Sequence, residues 1–488
     1  MPTRELEAVI GLEIHIQLKT ASKMFCRCAN IFGDVPPNSA ICPICLGYPG
    51  TLPVPNKTAI TWTQTAGVAL NCELATRSKF DRKSYFYPDL PKGYQISQYD
   101  QPFCGRGHLD IVVNGEPRTI GITRIHLEED AAKNTHPADA DFTLVDYNRA
   151  GTPLMEIVTE PDIRTPAEAR IFLQELQRIV RAIGVSDADM EKGQLRCDAN
   201  ISLREKGTSV LYPKTEIKNV NSFRFVEKAL EYEISRQSQL WEKNEIPTVS
   251  STRGYNSDTG KTVAHRTKEE AADYRYFPEP DIPPFTFTDD ELGAIRAKVG
   301  ELPGAQTSRF VQEFGISQDS AHLLVVTPEL AGFFESVASE LMQLDKEQLD
   351  ISSQEIPGLT QLAANMLLRY LRTSRGQVTP QNFAELVVLV GQGKINKSSA
   401  ADVINEMART GGDPDHIIQN LGLTQVSDQS AIDEHAAAVI AANPDVVEKI
   451  KAGKDGAIQY LIGQVMARTK GAASPSEVQK SLNRLLGI

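Results

Sequence analysis

Val9-Ile10-Gly11-Leu12-Glu13-Ile14-His15-Ile16-Gln17-Leu18 alternates without a break. Ile10, Leu12, Ile14, Ile16 and Leu18 fall on one face of an extended chain, and Gly11, Glu13, His15 and Gln17 on the other. A strand of this pattern is covered on one side only. Its polar face sends a carboxylate and an imidazole into the same space, which suits a metal site or an acid/base pair. A polar face that simply meets water is the plainer alternative.

Four further segments repeat the arrangement. Ile120 to Asp130 places Arg124, His126 and Glu128 on one face. Glu156 sits inside the apolar run Pro153-Leu154-Met155-Glu156-Ile157-Val158, where a buried carboxylate needs a partner. Leu195 to Ile201 alternates with Arg196, Asp198 and Asn200 on its polar side, and Lys214, Glu216 and Lys218 share a face of another segment. Together they predict a sheet with an acidic, metal-loaded concave face. Oxygen-rich ligands with one histidine suit Mg²⁺ held jointly with substrate phosphates.

Cys26 and Cys28, then thirteen residues, then Cys42-Pro43-Ile44-Cys45 have the spacing of a structural zinc site. A redox Cys-x-x-Cys pair is the rival, and it leaves Cys26 and Cys28 without a role. Cys72, Cys104 and Cys197 read as ordinary buried thiols. The stretch Phe80 to Gln98 mixes Arg82, Lys83 and Lys92 with the aromatic residues Phe80, Tyr85, Phe86, Tyr87 and Tyr94. RNA or nucleotide contact and a packed tyrosine-rich loop both account for it. The chain has no phosphate-binding G-x-x-x-x-G-K-[ST] loop, no strand-anchored G-x-G-x-x-G and no G-x-S-x-G elbow. It also lacks a Gly- and Ser-rich amidase stretch.

A length of 488 residues implies two to four domains. Strand-like segments dominate before residue 290 and helical spacing after it. The proline-rich stretch Phe277 to Pro284 marks the expected boundary, and Gly411-Gly412-Asp413-Pro414 a second. Thr165-Pro166-Ala167-Glu168 has capping-box spacing before an apolar stripe of Phe172, Leu176, Ile179, Val180 and Ile183, stopped by Gly184. Near the C-terminus, Ile458, Leu461, Ile462, Val465 and Met466 form another stripe. Ser474-Pro475-Ser476-Glu477 then opens a last helix carrying Val478, Leu482 and Leu485.

The net charge of −12 argues against broad non-specific nucleic-acid binding. Residues 449 to 488 differ: Lys449, Lys451, Lys454, Arg468, Lys470, Lys480 and Arg484 face only Asp455 and Glu477, a net +5. RNA contact and a solvated helical surface are the two readings of that tail. No apolar run is long enough to span a membrane, and Met1 to Ile10 has no signal core. With an odd set of seven cysteines suited to a reducing compartment, these features predict a cytoplasmic protein.

Several long motifs resemble the GatB family, the B subunits of the bacterial aspartyl/glutamyl-tRNA(Asn/Gln) amidotransferases. They are Val9 to His15, Phe80 to Gln98, His126-Leu127-Glu128-Glu129-Asp130-Ala131, Asp146 to Glu156, Glu216 to Phe223 and Asp273 to Asp281. The resemblance covers nearly the whole chain. It implies an α+β architecture: a glutamine-synthetase-like β-sheet cradle over 1–290, an all-helical domain over 291–410 and a small helical C-terminal tRNA-binding module over 411–488. It also implies the chemistry. ATP phosphorylates the side-chain carboxylate of Glu-tRNA(Gln) or Asp-tRNA(Asn), and glutamine-derived ammonia displaces phosphate to give Gln-tRNA(Gln) or Asn-tRNA(Asn). The implied partners in a heterotrimer are the amidase (the A subunit of such enzymes) and their small C subunit. The implied cofactors are ATP, Mg²⁺ and structural Zn²⁺.

By position, Glu13, His15 and Glu128 match the family's metal-binding residues, and Glu156 joins them as a further Mg²⁺ ligand. Catalytic roles are expected of Glu128, Glu216 and Arg149, and zinc ligation of Cys26, Cys28, Cys42 and Cys45. Nucleotide or tRNA contact is expected of Arg82, Lys83, Lys92, Lys451, Lys454, Arg468 and Lys470. The corresponding protein of the archaeal Glu-tRNA amidotransferase resembles the same cradle but carries a large extra domain, for which residues 277–300 leave no room. The alternative from another class is a non-catalytic zinc-containing RNA-binding scaffold, which predicts no ATP turnover.

Overall fold

The alternating strand forms as its pattern predicts and becomes the middle of the main sheet. The computed structural model describes all residues except 1–4, 32, 34, 138–139, 268–273, 344–354, 397–398, 424–428, 452–454, 470–472, 474 and 488. Leu6–Gln17 lies between Leu195–Glu205 on one side and Pro153–Thr159 on the other. Outward from Leu195–Glu205 follow Thr215–Lys218, Ser251–Asn256 and Lys261–Thr267; outward from Pro153–Thr159 follow Glu116–Glu129 and Gly107–Val113. Neighbours pair antiparallel, except Thr215–Lys218 with Ser251–Asn256. That parallel step needs a crossover, and the helix Phe223–Glu242 supplies it.

Ile10, Leu12, Ile14 and Ile16 are almost wholly buried on one face of the sheet. The core they enter also takes Phe172, Leu176 and Ile179 of the helix Pro166–Ala182, and Val226 and Leu230 of Phe223–Glu242. Burying each such side chain contributes about 1.5–3 kcal/mol before chain entropy is charged against it. The Pro166–Ala182 helix begins on the capping box read from the sequence. Thr165 accepts from the Glu168 backbone N–H, and Glu168 reaches back to the Thr165 N–H. Gly184, at φ +74°, turns the chain out of it.

The chain divides into two compact units, 1–302 and 303–488. The division falls after the expected 290 because the proline-rich stretch packs rather than links. Phe277–Pro278 pairs with Asp81–Ser84, Phe285–Thr286 pairs with Arg77–Ser78, and Ile282 enters the first core. Short edge strands tolerate proline because their outer N–H groups need no partner. The helix Asp289–Arg296 also belongs here, through Leu292 and Ile295.

The second unit is helical among its described residues and holds two apolar clusters. The first gathers Phe310, Phe334, Leu367 and Phe383 with residues as late as Ile417 and Ile418. The Gly411-Gly412 break therefore lies inside it, and Asn382 Nδ2 donates to both glycine carbonyls. The second cluster starts at Ile432 and joins the helices Gln429–Ala442, Ile458–Arg468 and Pro475–Leu486. In the last helix Val478 and Leu482 are buried as expected. Leu485 is exposed, and Leu486 takes its place in the cluster.

Candidate functional site

The register of the sheet builds one continuous polar row. Arg196 lies opposite His15, His15 opposite Glu156, and Glu156 opposite His126. Directly opposed residues project from the same face, so four strands deliver these side chains into one space. Glu128, two residues beyond His126, completes the group. His15 Nε2 lies 3.2 Å from Glu156 Oε2 and 3.9 Å from Glu128 Oε1. His126 Nε2 lies 3.1 Å from Glu156 Oε2 and 3.8 Å from Glu128 Oε2. Ser97 Oγ donates to Glu128 at 2.9 Å.

Electrostatics follow from this crowding. Burial disfavours both charged imidazoles, but Glu156 and Glu128 outweigh it, raising His15 and holding His126 at about 9. Burial likewise opposes ionisation of Glu128 and Glu156, yet His126 and Lys83 pull Glu128, and His126 and His15 pull Glu156, below the ordinary carboxylate range. Lys83 keeps its charge by the same balance. Burial opposes it, while Glu128, Tyr276 and Glu156 raise it, and its Nζ stands 4.9 Å from the Tyr274 ring centroid.

His15, Glu128 and Glu156 each offer a ligand atom, all within 4.8 Å of one another. Octahedral Mg²⁺ at about 2.1 Å spaces adjacent ligands by roughly 3 Å, so the donor set fits after a small closure. The cluster borders a cavity of 680 Å³ that Lys83, Asp130, Arg196, Asp198 and Lys218 also line. Arg196 donates to Asp130 Oδ2 at 2.7 Å, and Gln17 donates to the same oxygen at 2.9 Å.

Other expected site residues are placed differently. Glu13 stands outside the ligand group, since its Oε1 accepts from Asn200 Nδ2 at 2.9 Å and lies 3.5 Å from Lys214 Nζ. Glu216 is engaged by Thr252 at 3.0 Å and by Lys218 at 3.1 Å. Arg149 donates to the carbonyls of Ala131 and Ala132 at 2.9 and 2.7 Å, bracing the chain just beyond Glu128. Arg82 forms a two-pronged pair with Glu279 at 2.7 and 2.8 Å. Lys92 pairs with Glu129. Arg468 is exposed; Lys451 lies in the helix Pro444–Lys451, and Lys454 and Lys470 lie outside the described residues.

His126 and Arg196 are site residues to which the sequence alone assigns no role. Both are visible on polar strand faces, but only the pairing partner of each strand shows what they meet.

The four cysteines converge as their spacing predicts. The Sγ atoms of Cys26, Cys28, Cys42 and Cys45 lie within 4.8 Å of one another, and Cys42 and Cys45 are 3.8 Å apart. Tetrahedral zinc with bonds of about 2.3 Å spaces its sulfurs by roughly 3.8 Å, so the group can hold that ion. The Cys26 hydrogen bond is the largest influence on Cys45. With the Cys42 N–H and the Lys23 ammonium, it holds that thiol at about 5 against the opposing effect of burial. Lys23 is wholly buried, and its Nζ donates to the Tyr147 carbonyl at 3.2 Å. Gly47, at φ +69°, closes the knuckle where a Cβ would strike Lys92 Cγ at 2.6 Å. Cys104 and Cys197 are buried, as expected, while Cys72 is only partly so.

The profile of the GatB/GatE catalytic domain matches residues 8–293, and that of the GatB domain matches residues 343–486. The B subunit of the aspartyl/glutamyl-tRNA(Asn/Gln) amidotransferase of Carboxydothermus hydrogenoformans is 46% identical, over 98% of each chain. The protein of the same name from Persephonella marina is 47% identical over 99% of this chain and 100% of its own length. That from Thermotoga maritima is 45% identical over 98% of each.

Proposed function

The chain belongs to the GatB family, and from that premise we propose that it is the tRNA-facing, ATP-using component of a tRNA-dependent amidotransferase. Its substrates are Glu-tRNA(Gln), Asp-tRNA(Asn) or both. The observation that carries the reading is the His15–Glu128–Glu156 group beside a 680 Å³ cavity also lined by Lys83, Arg196 and Lys218.

A carboxylate resists attack by ammonia until an oxygen becomes a leaving group. In the proposed reaction the substrate's side-chain carboxylate attacks the γ-phosphorus of ATP, ADP departs, and an acyl phosphate forms. Ammonia then adds to the acyl carbon, the carbon–oxygen bond to phosphate breaks, and the proton lost from nitrogen leaves with the phosphate as hydrogen phosphate. His15, Glu128 and Glu156 would hold Mg²⁺, which offsets the repulsion between an anionic nucleophile and the phosphates. Arg196 and Lys83 supply fixed positive charge at the cavity wall, where developing negative charge is best met by groups already in place. Glu216 and Arg149 act from outside the ligand group, by orienting Lys218 and bracing residues 131–132.

The same reading gives each region a task. Residues up to Leu302 would form a catalytic cradle akin to glutamine synthetase, the helical cluster from Phe310 to Ile418 a linking domain and the cluster from Ile432 onward a tRNA-binding module. Zinc at Cys26, Cys28, Cys42 and Cys45 would be structural. Ammonia would come from the amidase partner, with the small third protein completing a heterotrimer in the cytoplasm. No described helix is long and apolar enough to cross a membrane.

The test is reconstitution with the amidase and the small partner, supplying ATP, glutamine and each misacylated tRNA. Glu128→Gln should retain glutamine hydrolysis by the partner and lose acyl-phosphate formation. Transamidation at the wild-type rate by Glu128→Gln would remove this carboxylate from the chemistry. A wild-type complex that binds tRNA without consuming ATP would favour the zinc-containing scaffold instead.

A further inference from the structure

The polar face of the sheet carries a second hollow, of 510 Å³, further along the Leu6–Gln17 strand from His15. Gly11 contributes no side chain there, and Val9, Val158, Pro161 and Leu211 supply apolar lining. A Cβ on Gly11 would lie 3.7 Å from Pro161 Cα, an ordinary contact, so the fold itself does not require glycine at this point. What the bare backbone provides is a flat surface beside apolar walls.

Asn200 supplies the second observation. It is more than nine-tenths buried and lines the same hollow. Its Nδ2 donates to Glu13 Oε1 at 2.9 Å, and a carboxylate can only accept, so the amide orientation is fixed by its partner. Oδ1 is left buried with no hydrogen-bond partner among the described residues. An unpaired buried acceptor is destabilising, a deficit that a ligand's N–H would remove.

Position narrows the ligand further. Gly11 is four residues from His15, roughly 14 Å along an extended strand. That span is comparable with an outstretched nucleoside triphosphate from its base to its terminal phosphate. The exocyclic amine of adenine offers the donor that Asn200 Oδ1 needs, whereas guanine presents a carbonyl at the same place.

We propose that this hollow receives the adenine base of an adenosine, held flat over Gly11 and read by Asn200. The inference rests on the ATP-dependent reading above. ATP is the source that reaches the acidic group; the terminal adenosine of the tRNA acceptor end offers the same base.

The experiment is calorimetric titration of the full-length chain in Mg²⁺ with ATP, GTP and inorganic tripolyphosphate, each variant first checked by thermal unfolding. Gly11→Val, which suits a strand, should weaken ATP by about tenfold or more and leave tripolyphosphate within about twofold. Asn200→Ala should cut the preference for ATP over GTP by about fivefold or more, and it carries the test if Gly11→Val misfolds. In the reconstituted complex, weakened binding of misacylated tRNA with unchanged ATP affinity would assign the adenosine to the acceptor end. Unchanged ATP and tRNA affinity in both variants overturns the adenosine pocket and leaves the catalytic reading standing. A folded wild-type complex with no affinity for ATP overturns the catalytic reading itself.

Discussion

His15 and Glu156 stand opposite each other on neighbouring antiparallel strands, and the imidazole Nε2 approaches the carboxylate to 3.2 Å. The contact ties the strand that opens the fold to one about 140 residues later, so the ligand group exists only when the sheet is in register. Glu156→Gln keeps the shape and removes the charge that His15 and His126 share. With Mn²⁺ as a probe for the proposed Mg²⁺ position, relaxation titration should show affinity falling about 10- to 100-fold. Unchanged Mn²⁺ affinity would exclude Glu156 from the ligand set.

The cysteine group gives a prediction about stability. Wild-type protein prepared without chelators should carry about one zinc per chain by elemental analysis, as four thiolates in tetrahedral reach imply. Cys42→Ser should lose that zinc, unfold roughly 5 °C lower and expose the segment from Phe25 to Gly47 to proteolysis. Full thermal stability in a zinc-free variant would show that the knuckle stands without metal.

Glu233, which does not line the cavity, predicts a pH dependence of stability. Its buried carboxylate accepts from Arg236 at 2.7 Å, Gln237 at 3.2 Å and Thr262, and forms an ion pair with Arg253 at 3.1 Å. It fastens the crossover helix to the strands at that end of the sheet. Burial opposes ionisation, but the Arg236 and Thr262 hydrogen bonds outweigh it and hold the pKa below the ordinary value. A depressed carboxylate contributes stability above its unfolded pKa of about 4.3, lost as pH falls through the folded value. Glu233→Gln should therefore lower stability by about 2 kcal/mol at pH 7. In urea unfolding the gap to wild type should hold from pH 7 to about 5 and narrow below about 4. A gap independent of pH would mean that lost packing, rather than charge, causes the effect.

What the sequence disclosed and what it hid divide along the range of the interactions. Alternation in Leu6–Gln17, the Thr165 capping box and the cysteine spacing are local, and each forms as read. Glu13 groups with His15 in the sequence because they share a strand face. Its carboxylate instead turns to Asn200 and Lys214, some 190 to 200 residues away in sequence. Arg82 reads as a free cation beside tyrosines until Glu279 arrives from 197 residues downstream. His126 carries no local sign that its strand will pair with the one bearing Glu156. Pairing across a sheet is a property of the whole chain order, which a single strand's pattern does not contain.

The tail provides the last prediction, and its structure sets where a truncation must fall. Lys449 and Arg468 are exposed, whereas Lys480 pairs with Glu477 at 2.8 Å and Arg484 with Asp433. Asp433 belongs to the helix Gln429–Ala442, which shares a core with Ile458–Arg468 and Pro475–Leu486 through Ile432, Ala436 and Val439. A deletion beginning near Asn443 would strip that helix of its partners and expose an apolar face. Ending the chain after Leu423 removes the whole cluster, and the larger cluster ending at Ile418 keeps its core. If the tail meets the tRNA backbone, each lost phosphate contact removes one salt-dependent term from binding. The truncated chain, in complex with its partner proteins, should bind misacylated tRNA more weakly. Its slope of log affinity against log salt should be shallower by about 2, with affinity for ATP unchanged. Filter-binding across a salt series tests both. Equal affinity and equal slope with and without the tail would move recognition to another surface of the chain.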